Sequence, residues 1–381
     1  MEFTCLQKDL HQGVQSVEKI VLTRSTLPII GNILIETKKD SLRLSANNLE
    51  MGMQVEIPAK VRIEGAGLVP AKTLANIVSH LPQEEISFKK LDKGNIQISY
   101  RESNFSINVL PPDEFPALPK IKEGELLTIN AALLAQMVEY TIIATSASED
   151  QQVLNGALLE IGPEAGASKG SESNIRMVAT DGYRLARFGG CLPKTPKKTS
   201  KVIVPAKTLA EIGRILSSGN GEEVKVTISS DQIAVECDKT YLVSMVIQGE
   251  FPDYKRVIPK RTGVKINLDT ANFLQAAERA AIIAGGNANI IQIELKNKKL
   301  HVQAMAPDVG SIDEVIEVDA PGASRIKIAF NVRLLMDALK IIETQTVSLE
   351  ISEPLSPGIL RPNEGSDYLY IVMPIRTAEH G

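Results

Sequence analysis

Tryptophan is absent from this 381-residue sequence, and aromatic residues make up only 4% of it. A surface that stacks the bases of single-stranded nucleic acid is built from aromatic side chains, so the composition disfavours such a platform. The only cysteines, Cys5, Cys191 and Cys237, stand far apart and are odd in number. They predict neither a disulfide framework nor a metal site, and we expect no metal and no cofactor.

Long apolar runs are also missing. No stretch of about 18 apolar residues occurs, and the start "MEFTCLQKDL" lacks a basic segment followed by an apolar one. We therefore expect a cytoplasmic, soluble protein that does not associate with a membrane. Lys and Arg number 42 against 46 Asp and Glu, a formal net charge of −4. That balance disfavours a protein that grips nucleic acid over its whole surface, but it permits a local basic face.

Motifs for catalysis are scarce as well. Only four histidines occur, none at a nucleophile-like spacing from a cysteine or aspartate, and there is neither a phosphate loop nor a GxGxxG after a strand. "TDGYR" (Thr180–Arg184) could serve acid–base chemistry, so an enzyme is one alternative. A sequence-specific DNA-binding module is another, but it needs a basic recognition helix or zinc spacing. We expect no catalytic residues.

Repetition is what the sequence does contain. "PAKTLA" occurs at Pro70–Ala75 and again at Pro205–Ala210, while "EFPAL" begins at Glu114 and "EFPDY" at Glu250. The two copies of each phrase are almost equally far apart, which indicates a duplicated domain. A fainter third copy aligns the segment after Ile266 with those after Phe3 and Leu127.

The repeats predict an α+β fold of three similar domains, at 1–121, 125–257 and 263–381. Each domain reads twice as a strand, a helix and three strands, which gives six helices. Several of these helices place basic residues opposite their apolar face. They are Lys8 and Lys19 in the first helix, Lys72 in the second, Lys207 and Arg214 in the fourth, and Arg333 and Lys340 in the sixth. The fifth helix has Arg279 beside Glu278, and we count Arg279 with the other helical cations. These faces are either ordinary solvated surfaces or one surface presented to a polyanion.

Six phrases then resemble a known family over essentially the whole chain. "LPIIGNILIE", "NNLEM", "VATDGYRLA", "VIVPAK", "GEFPDYKRVIP" and "YIVMPIR" are similar to the bacterial DNA polymerase III beta subunit, the sliding-clamp family. The resemblance implies a DNA clamp fold, with two βαβββ units in each domain. It also implies a ring-shaped head-to-tail homodimer, in which helices line the pore and sheets lie outside. Double-stranded DNA would be encircled without sequence specificity, with Arg24 joining the helical cations named above as DNA-facing residues.

The resemblance also implies a pocket for partner proteins. Partners would be DNA polymerase III and other polymerases, the clamp loader, and repair and replication proteins that carry a short clamp-binding peptide. The pocket residues carried over are Leu154, Thr180, Gly182, Tyr183, Arg184, Leu185, Pro252, Val257, Ile371, Met373, Pro374, Ile375 and Arg376. The dimer joint would pair Phe105 and Ile107 of one subunit with Ile282 and Ile283 of the next.

The function expected from this resemblance is a non-catalytic clamp that tethers the replicative polymerase to DNA and makes it processive. The alternative is a DNA-binding or scaffold protein that has the same repeats but forms no ring.

Overall fold

The computed structural model describes residues 1–22, 27–91, 94–163, 173–194, 199–219, 221–259, 263–320, 325–365 and 367–376. These residues divide into two compact units. The first comprises Met1–Ala131 and Arg214–Val246, and the second comprises Ala132–Gly213 and Ile247–Gly381.

The described residues contain the six α-helices that the sequence predicts, so this prediction is confirmed. Their bounds are α1 Gln7–Glu18, α2 Ala71–His80, α3 Ala131–Ile142, α4 Ala206–Ser218, α5 Thr270–Ala284 and α6 Val332–Ile341.

The first unit holds two antiparallel sheets. Its strands are β1 Glu2–Leu6, β2 Asn32–Lys38, β3 Ser41–Asn47, β4 Met51–Pro58, β5 Lys60–Ile63, β6 Ala66–Pro70, β7 Glu85–Leu91, β8 Asn95–Tyr100, β9 Ser103–Asn108, β10 Glu125–Asn130, β15 Glu223–Ile228, β16 Gln232–Cys237 and β17 Thr240–Met245. One sheet has five strands in the order β5-β1-β7-β8-β9, and the other has eight in the order β10-β15-β16-β17-β4-β3-β2-β6.

The second unit also holds two antiparallel sheets. Its strands are β11 Gly156–Ile161, β12 Ile175–Thr180, β13 Arg184–Gly190, β14 Ser200–Pro205, β18 Val264–Asp269, β19 Ile290–Lys296, β20 Lys299–Ala306, β21 Gly310–Glu317, β22 Ile326–Asn331, β23 Thr346–Ile351, β24 Gly358–Pro362 and β25 Asp367–Val372. The eight-stranded sheet has the order β14-β11-β12-β13-β25-β24-β23-β18, and the four-stranded sheet has the order β21-β20-β19-β22.

The residues at the strand-to-helix junctions explain where several helices begin. Pro70 ends β6 and occupies the N-cap of α2, where its missing N–H is not needed. The side chain of Asp269 accepts a hydrogen bond from the backbone of Asn272 and so caps α5. Asn331 caps α6 in the same way by accepting from the backbone N–H of Arg333 at 3.0 Å. The repeated proline phrase is therefore a strand-to-helix junction.

Helices α1 and α5 each bury one face against the strands of their unit. In α1 the buried face includes Leu10, Val14 and Val17, as its periodicity predicts. A Cβ atom on Gly13 would lie 2.8 Å from Leu44 Cδ1, so glycine lets α1 lie close against β3. Helix α1 packs on α2 in the first unit, and α5 packs on α6 in the second.

The sheet pairings also explain why the compact units are not thirds of the chain. Strand β17 pairs with β4, where Leu242 lies opposite Met53, and β13 pairs with β25, where Leu185 lies opposite Ile371. Each eight-stranded sheet thus joins strands from two of the predicted domains. The domain boundaries at 121–125 and 257–263 stay a prediction.

Candidate functional site

A tight turn between β12 and β13 carries the residues of the "TDGYR" phrase. The Asp181 carboxylate accepts hydrogen bonds from the backbone N–H groups of Tyr183 and Arg184, both at 2.9 Å. The Thr180 hydroxyl donates to the carbonyl of Arg184 at 2.6 Å and accepts from the N–H of Gly182 at 3.1 Å. Gly182 has φ of +89°, a region that glycine enters without a steric cost. The turn is therefore held by its own side chains, and it projects Tyr183 outward with 70% of its surface exposed.

Arg184 connects this turn to helix α6. Its Nε donates to Asp181 Oδ2 at 2.9 Å and its Nη1 donates to Asp337 Oδ2 at 2.5 Å. Burial alone would lower the pKa of Arg184, but the neighbouring Tyr370, Asp337 and Asp181 raise it, so the guanidinium stays charged. The two partners Asp181 and Asp337 leave the Arg184 side chain little freedom.

A cavity of about 330 Å³ opens beside this turn. We call it the Met373 cavity. The described residues that line it are Asp181, Tyr183, Asn331, Leu334, Met373, Pro374 and Ile375. Its walls are apolar apart from an aspartate, an asparagine and a phenol, a composition typical of a small site for an apolar side chain.

The chain after β25 is fixed on both sides of this cavity. The N–H of Met373 donates to the carbonyl of Tyr183 at 2.9 Å, and the N–H of Ile375 donates to the carbonyl of Ala329 in β22 at 2.8 Å. These bonds hold Met373 and Ile375 over the cavity, while the Met373 side chain keeps the rotamer freedom of an unbranched residue.

The other predicted pocket residues lie in different surroundings. Leu185 and Ile371 are buried in a cluster with Leu158, Val178, Ile203, Tyr254, Ile359 and Leu369, and Leu154 is 5% exposed. Pro252 and Val257 are exposed on the segment around Tyr254, and Arg376 is exposed at the end of the described chain. The structure therefore brings Tyr183, Met373, Pro374 and Ile375 together around one cavity, with Leu185 and Ile371 in the core beside them.

The segment that covers this cluster is anchored by Tyr254. Its hydroxyl donates to Glu160 Oε2 at 2.6 Å, and Phe251 and Ile258 pack against the cluster on either side. Burial, together with the adjacent Glu160 carboxylate, raises the pKa of Tyr254 to about 12.

Asn331 and Leu334 are cavity residues that the sequence analysis did not identify. They belong to the junction of β22 and α6. The signal that could have found them is the N-cap asparagine, which marks the start of α6, because side chains of a helix tilt towards its N-terminus. Nothing in the local sequence says that Met373 lies there.

The predicted DNA-facing cations divide into two groups. Lys8, Lys19, Lys72, Lys207, Arg333 and Lys340 are exposed on or next to their helices. Arg214 and Arg279 have partners within their own units. Arg214 Nη2 donates to the carbonyl of Ser16 in α1 at 2.9 Å, and Arg279 makes two bonds, of 2.9 and 2.8 Å, to the carboxylate of Glu314 in β21. Arg24 lies outside the described residues.

The predicted dimer residues also differ in exposure. Ile282 is 74% exposed and Phe105 38% exposed, and Ile283 is half-buried on α5. Ile107 is only 6% exposed, because it points into the core from β9. Among the described strands, β9 and β21 each end a sheet, so each has one edge that no other described strand pairs with.

Over the described part of the chain, no group of three or more His, Cys, Asp or Glu residues is placed to hold a metal ion. Burial, with Asp9 and Glu85 nearby, raises the pKa of the Cys5 thiol to about 12, which keeps it protonated. None of the described helices has the length and apolar character to cross a membrane.

Comparison with known proteins identifies the chain. Family models described as the N-terminal, central and C-terminal domains of the DNA polymerase III beta subunit match residues 1–119, 128–253 and 255–376. The beta sliding clamp of Staphylococcus epidermidis is 27% identical over 387 residues, covering 99% of this chain and 100% of the relative.

Solved structures agree over the same length. The DNA polymerase sliding clamp of Bacillus subtilis superposes with a TM-score of 0.91 at 26% identity, covering 99% of both chains. The DNA polymerase III beta subunit of Thermotoga maritima gives 0.89 at 27% identity, covering 99% of this chain and 100% of that one.

The fold and these matches define a replication clamp, an α+β protein of repeated domains with no catalytic role of its own. The chain belongs to the DNA polymerase III beta subunit family. It is a sliding clamp for DNA replication, an accessory subunit that works with DNA and a DNA polymerase.

Proposed function

We propose that two copies of this chain close head to tail into a ring that encircles duplex DNA in the cytoplasm. The observation that carries the proposal is the run of three clamp-domain matches from residue 1 to residue 376, combined with lysines exposed on helices such as Lys8 and Lys72. A ring is retained on DNA by topology, so a net acidic protein needs only a few cations to centre the duplex. The acidic net charge and the clamp function are therefore compatible.

The experiment that tests the ring compares two DNA substrates after loading. On nicked circular DNA the protein stays bound at high salt, whereas on the same DNA linearised it slides off the ends. Retention that falls equally steeply with salt on both substrates would indicate ordinary phosphate binding by a protein that forms no ring.

The Met373 cavity is the site that we propose for partner proteins. These are DNA polymerase III and other polymerases, the clamp loader, and repair and replication proteins that carry a short peptide with Gln, Leu and Phe-type residues. Its apolar walls suit a leucine or phenylalanine side chain, and Tyr183 and Asn331 offer polar groups that could orient the peptide backbone. Ordering a flexible peptide opposes the gain from burial, so we expect affinities in the micromolar range.

For subunit closure, we propose that the exposed side chains of Phe105 and Ile282 meet across the joint, with β9 of one subunit beside β21 of the next. Pairing these strands would remove two unpaired sheet edges at once. Since Ile107 is buried in its own core, Phe105, its neighbour on the same face of β9, would contribute more of the contact area.

A further inference from the structure

A second and larger cavity, of about 650 Å³, lies on the four-stranded sheet of the second unit. We call it the Gln303 groove. Three of its residues form one row across neighbouring strands: Gln292 of β19 lies opposite Gln303 of β20, which lies opposite Asp313 of β21. In β20 the alternate residues Val302 and Ala304 are buried, so Gln303 faces away from the core.

The Gln303 groove adjoins the Met373 cavity at two places. Ile375 lines the cavity and Arg376, the next residue, lines the groove. Asn331 lines the cavity and Ile290, its partner across the β22–β19 ladder, lines the groove. Residues paired across a ladder have Cβ atoms about 5 Å apart. A chain that leaves the cavity therefore reaches the groove without a gap.

The groove has the chemistry to bind an extended peptide. The side-chain amides of Gln292 and Gln303 both donate and accept hydrogen bonds, as a peptide backbone does. Met305, which is 68% exposed, adds an adaptable apolar contact. Two strand spacings separate β19 from β21, about 10 Å, which corresponds to about three residues of extended chain.

The two ends of the groove carry side chains of opposite charge. Arg376 stands at the end next to the cavity, is exposed, and has no ion pair within the described residues. Asp313 stands at the far end on the edge strand, where His301 Nδ1 lies 3.1 Å from its carboxylate. An acidic residue would therefore be favoured beside the cavity, and a polar or basic residue towards β21.

We propose that the Gln303 groove binds the flank of the partner peptide, about three extended residues with an acidic one next to the short motif. The proposal rests on the proposed function of the Met373 cavity and adds a specificity determinant to it. The motif alone would give an affinity that many partners share, whereas the flank would make the affinity differ from one partner to another.

The test measures fluorescence anisotropy with labelled peptides on the full chain. One peptide carries the Gln-Leu-Phe motif alone, and others carry it with an acidic residue and two polar residues added before it or after it. One of the extended peptides is expected to bind about five- to tenfold more tightly than the motif alone. Exchanging its acidic residue for lysine should remove most of that gain.

Two variants locate the effect. Gln292→Ala combined with Gln303→Ala should abolish the gain from the extension while leaving the affinity for the motif unchanged, which also shows that the fold is intact. Gln303→Met, which keeps the side-chain length but removes the amide, should reduce the gain if the double variant proves unstable. Lys299→Ala is the matched control, because it changes an exposed residue of the same strand outside the groove.

The outcomes separate the two proposals. If the motif binds, but neither extension binds more tightly or the gain survives in both groove variants, the groove proposal is wrong and the cavity stands. If the motif does not bind at all, the cavity itself is misassigned.

Discussion

At the residue scale, Met373 decides whether the cavity assignment is right. Met373→Ala removes one wall of the Met373 cavity and should cost on the order of 1–2 kcal/mol of peptide binding, roughly a 5–30-fold loss in affinity. Fluorescence anisotropy with a motif peptide measures it. Met245→Ala is the control, because Met245 is a methionine with 49% of its surface exposed that lies in the first unit. Wild-type affinity in Met373→Ala would contradict the assignment.

Gly182 tests whether the turn positions Tyr183. Its φ of +89° disfavours any residue with a Cβ, so Gly182→Ala should lower the free energy of unfolding by about 1–2 kcal/mol. Peptide affinity should fall as well, because the turn carries Tyr183 to the cavity. Urea unfolding and anisotropy give the two readings. Gly31→Ala is the matched control, since a Cβ there meets no atom within 4 Å and its φ is not positive.

The raised pKa of Tyr254 predicts how the free energy of unfolding changes at alkaline pH. In the unfolded chain its phenol ionises near its ordinary pKa of 10, whereas in the folded chain it holds its proton up to about 12. The unfolded state therefore binds fewer protons between these values, and the free energy of unfolding falls as pH rises through that window. The loss approaches about 1.4 kcal/mol per pH unit for this group.

Urea unfolding of wild type and Tyr254→Phe between pH 9 and pH 11.5 tests it. The variant should start less stable, because it lacks the hydrogen bond to Glu160, but should lose stability less steeply with pH. Burial raises the pKa of Tyr368 well above 10. Its contribution to the pH dependence of stability is the same in both proteins. Equal slopes would show that Tyr254 ionises freely in the folded state.

At the scale of the element, we expect the helices to contribute unequally to DNA binding. If Lys8 and Lys72 contact phosphates, the variant Lys8→Ala with Lys72→Ala should reduce the slope of log affinity against log salt on a short duplex by about one for each lysine lost, up to about 4 for the two subunits of the ring. The control pair, Lys122→Ala with Lys225→Ala, removes two exposed lysines that are not on helices and should leave the slope unchanged. An equal effect of both pairs would mean that only net charge matters.

The salt dependence of DNA binding can also be tested at Arg279 on α5. Its two hydrogen bonds to Glu314 lower the pKa of that carboxyl, which stays ionised. The negative charge of Glu314 then offsets the positive charge that Arg279 places on α5. Arg279→Ala should therefore change the salt slope less than Lys72→Ala does.

At the scale of the whole molecule, the prediction is a dimer held at one joint. Ile282→Asp with Ile283→Asp places two charges where the partner subunit should pack, and sedimentation velocity should show monomers. Leu126→Asp is the control, because Leu126 is 63% exposed on β10 and lies outside the predicted joint. A dimer that persists in the double variant would place the joint elsewhere, and dissociation of the control would point to general destabilisation.

The sequence by itself determined the elements and their repetition. Periodicity placed all six helices and left Lys8, Lys72 and Lys340 exposed, because the faces of a helix are fixed by spacing along one segment. The "PAKTLA" repeat marked two strand-to-helix junctions, since proline fits the start of a helix. The phrases shared with the clamp family gave the fold and the function.

Only the tertiary structure decided which distant residues meet. Asn331 and Leu334 reach Met373 because β22 pairs with the chain after β25, and Arg184 reaches Asp337 across 153 positions. The same long-range packing buried Ile107 and gave Arg279 its partner Glu314. Local spacing carries no information about such contacts, because they depend on strand order and register between segments that are far apart in the chain.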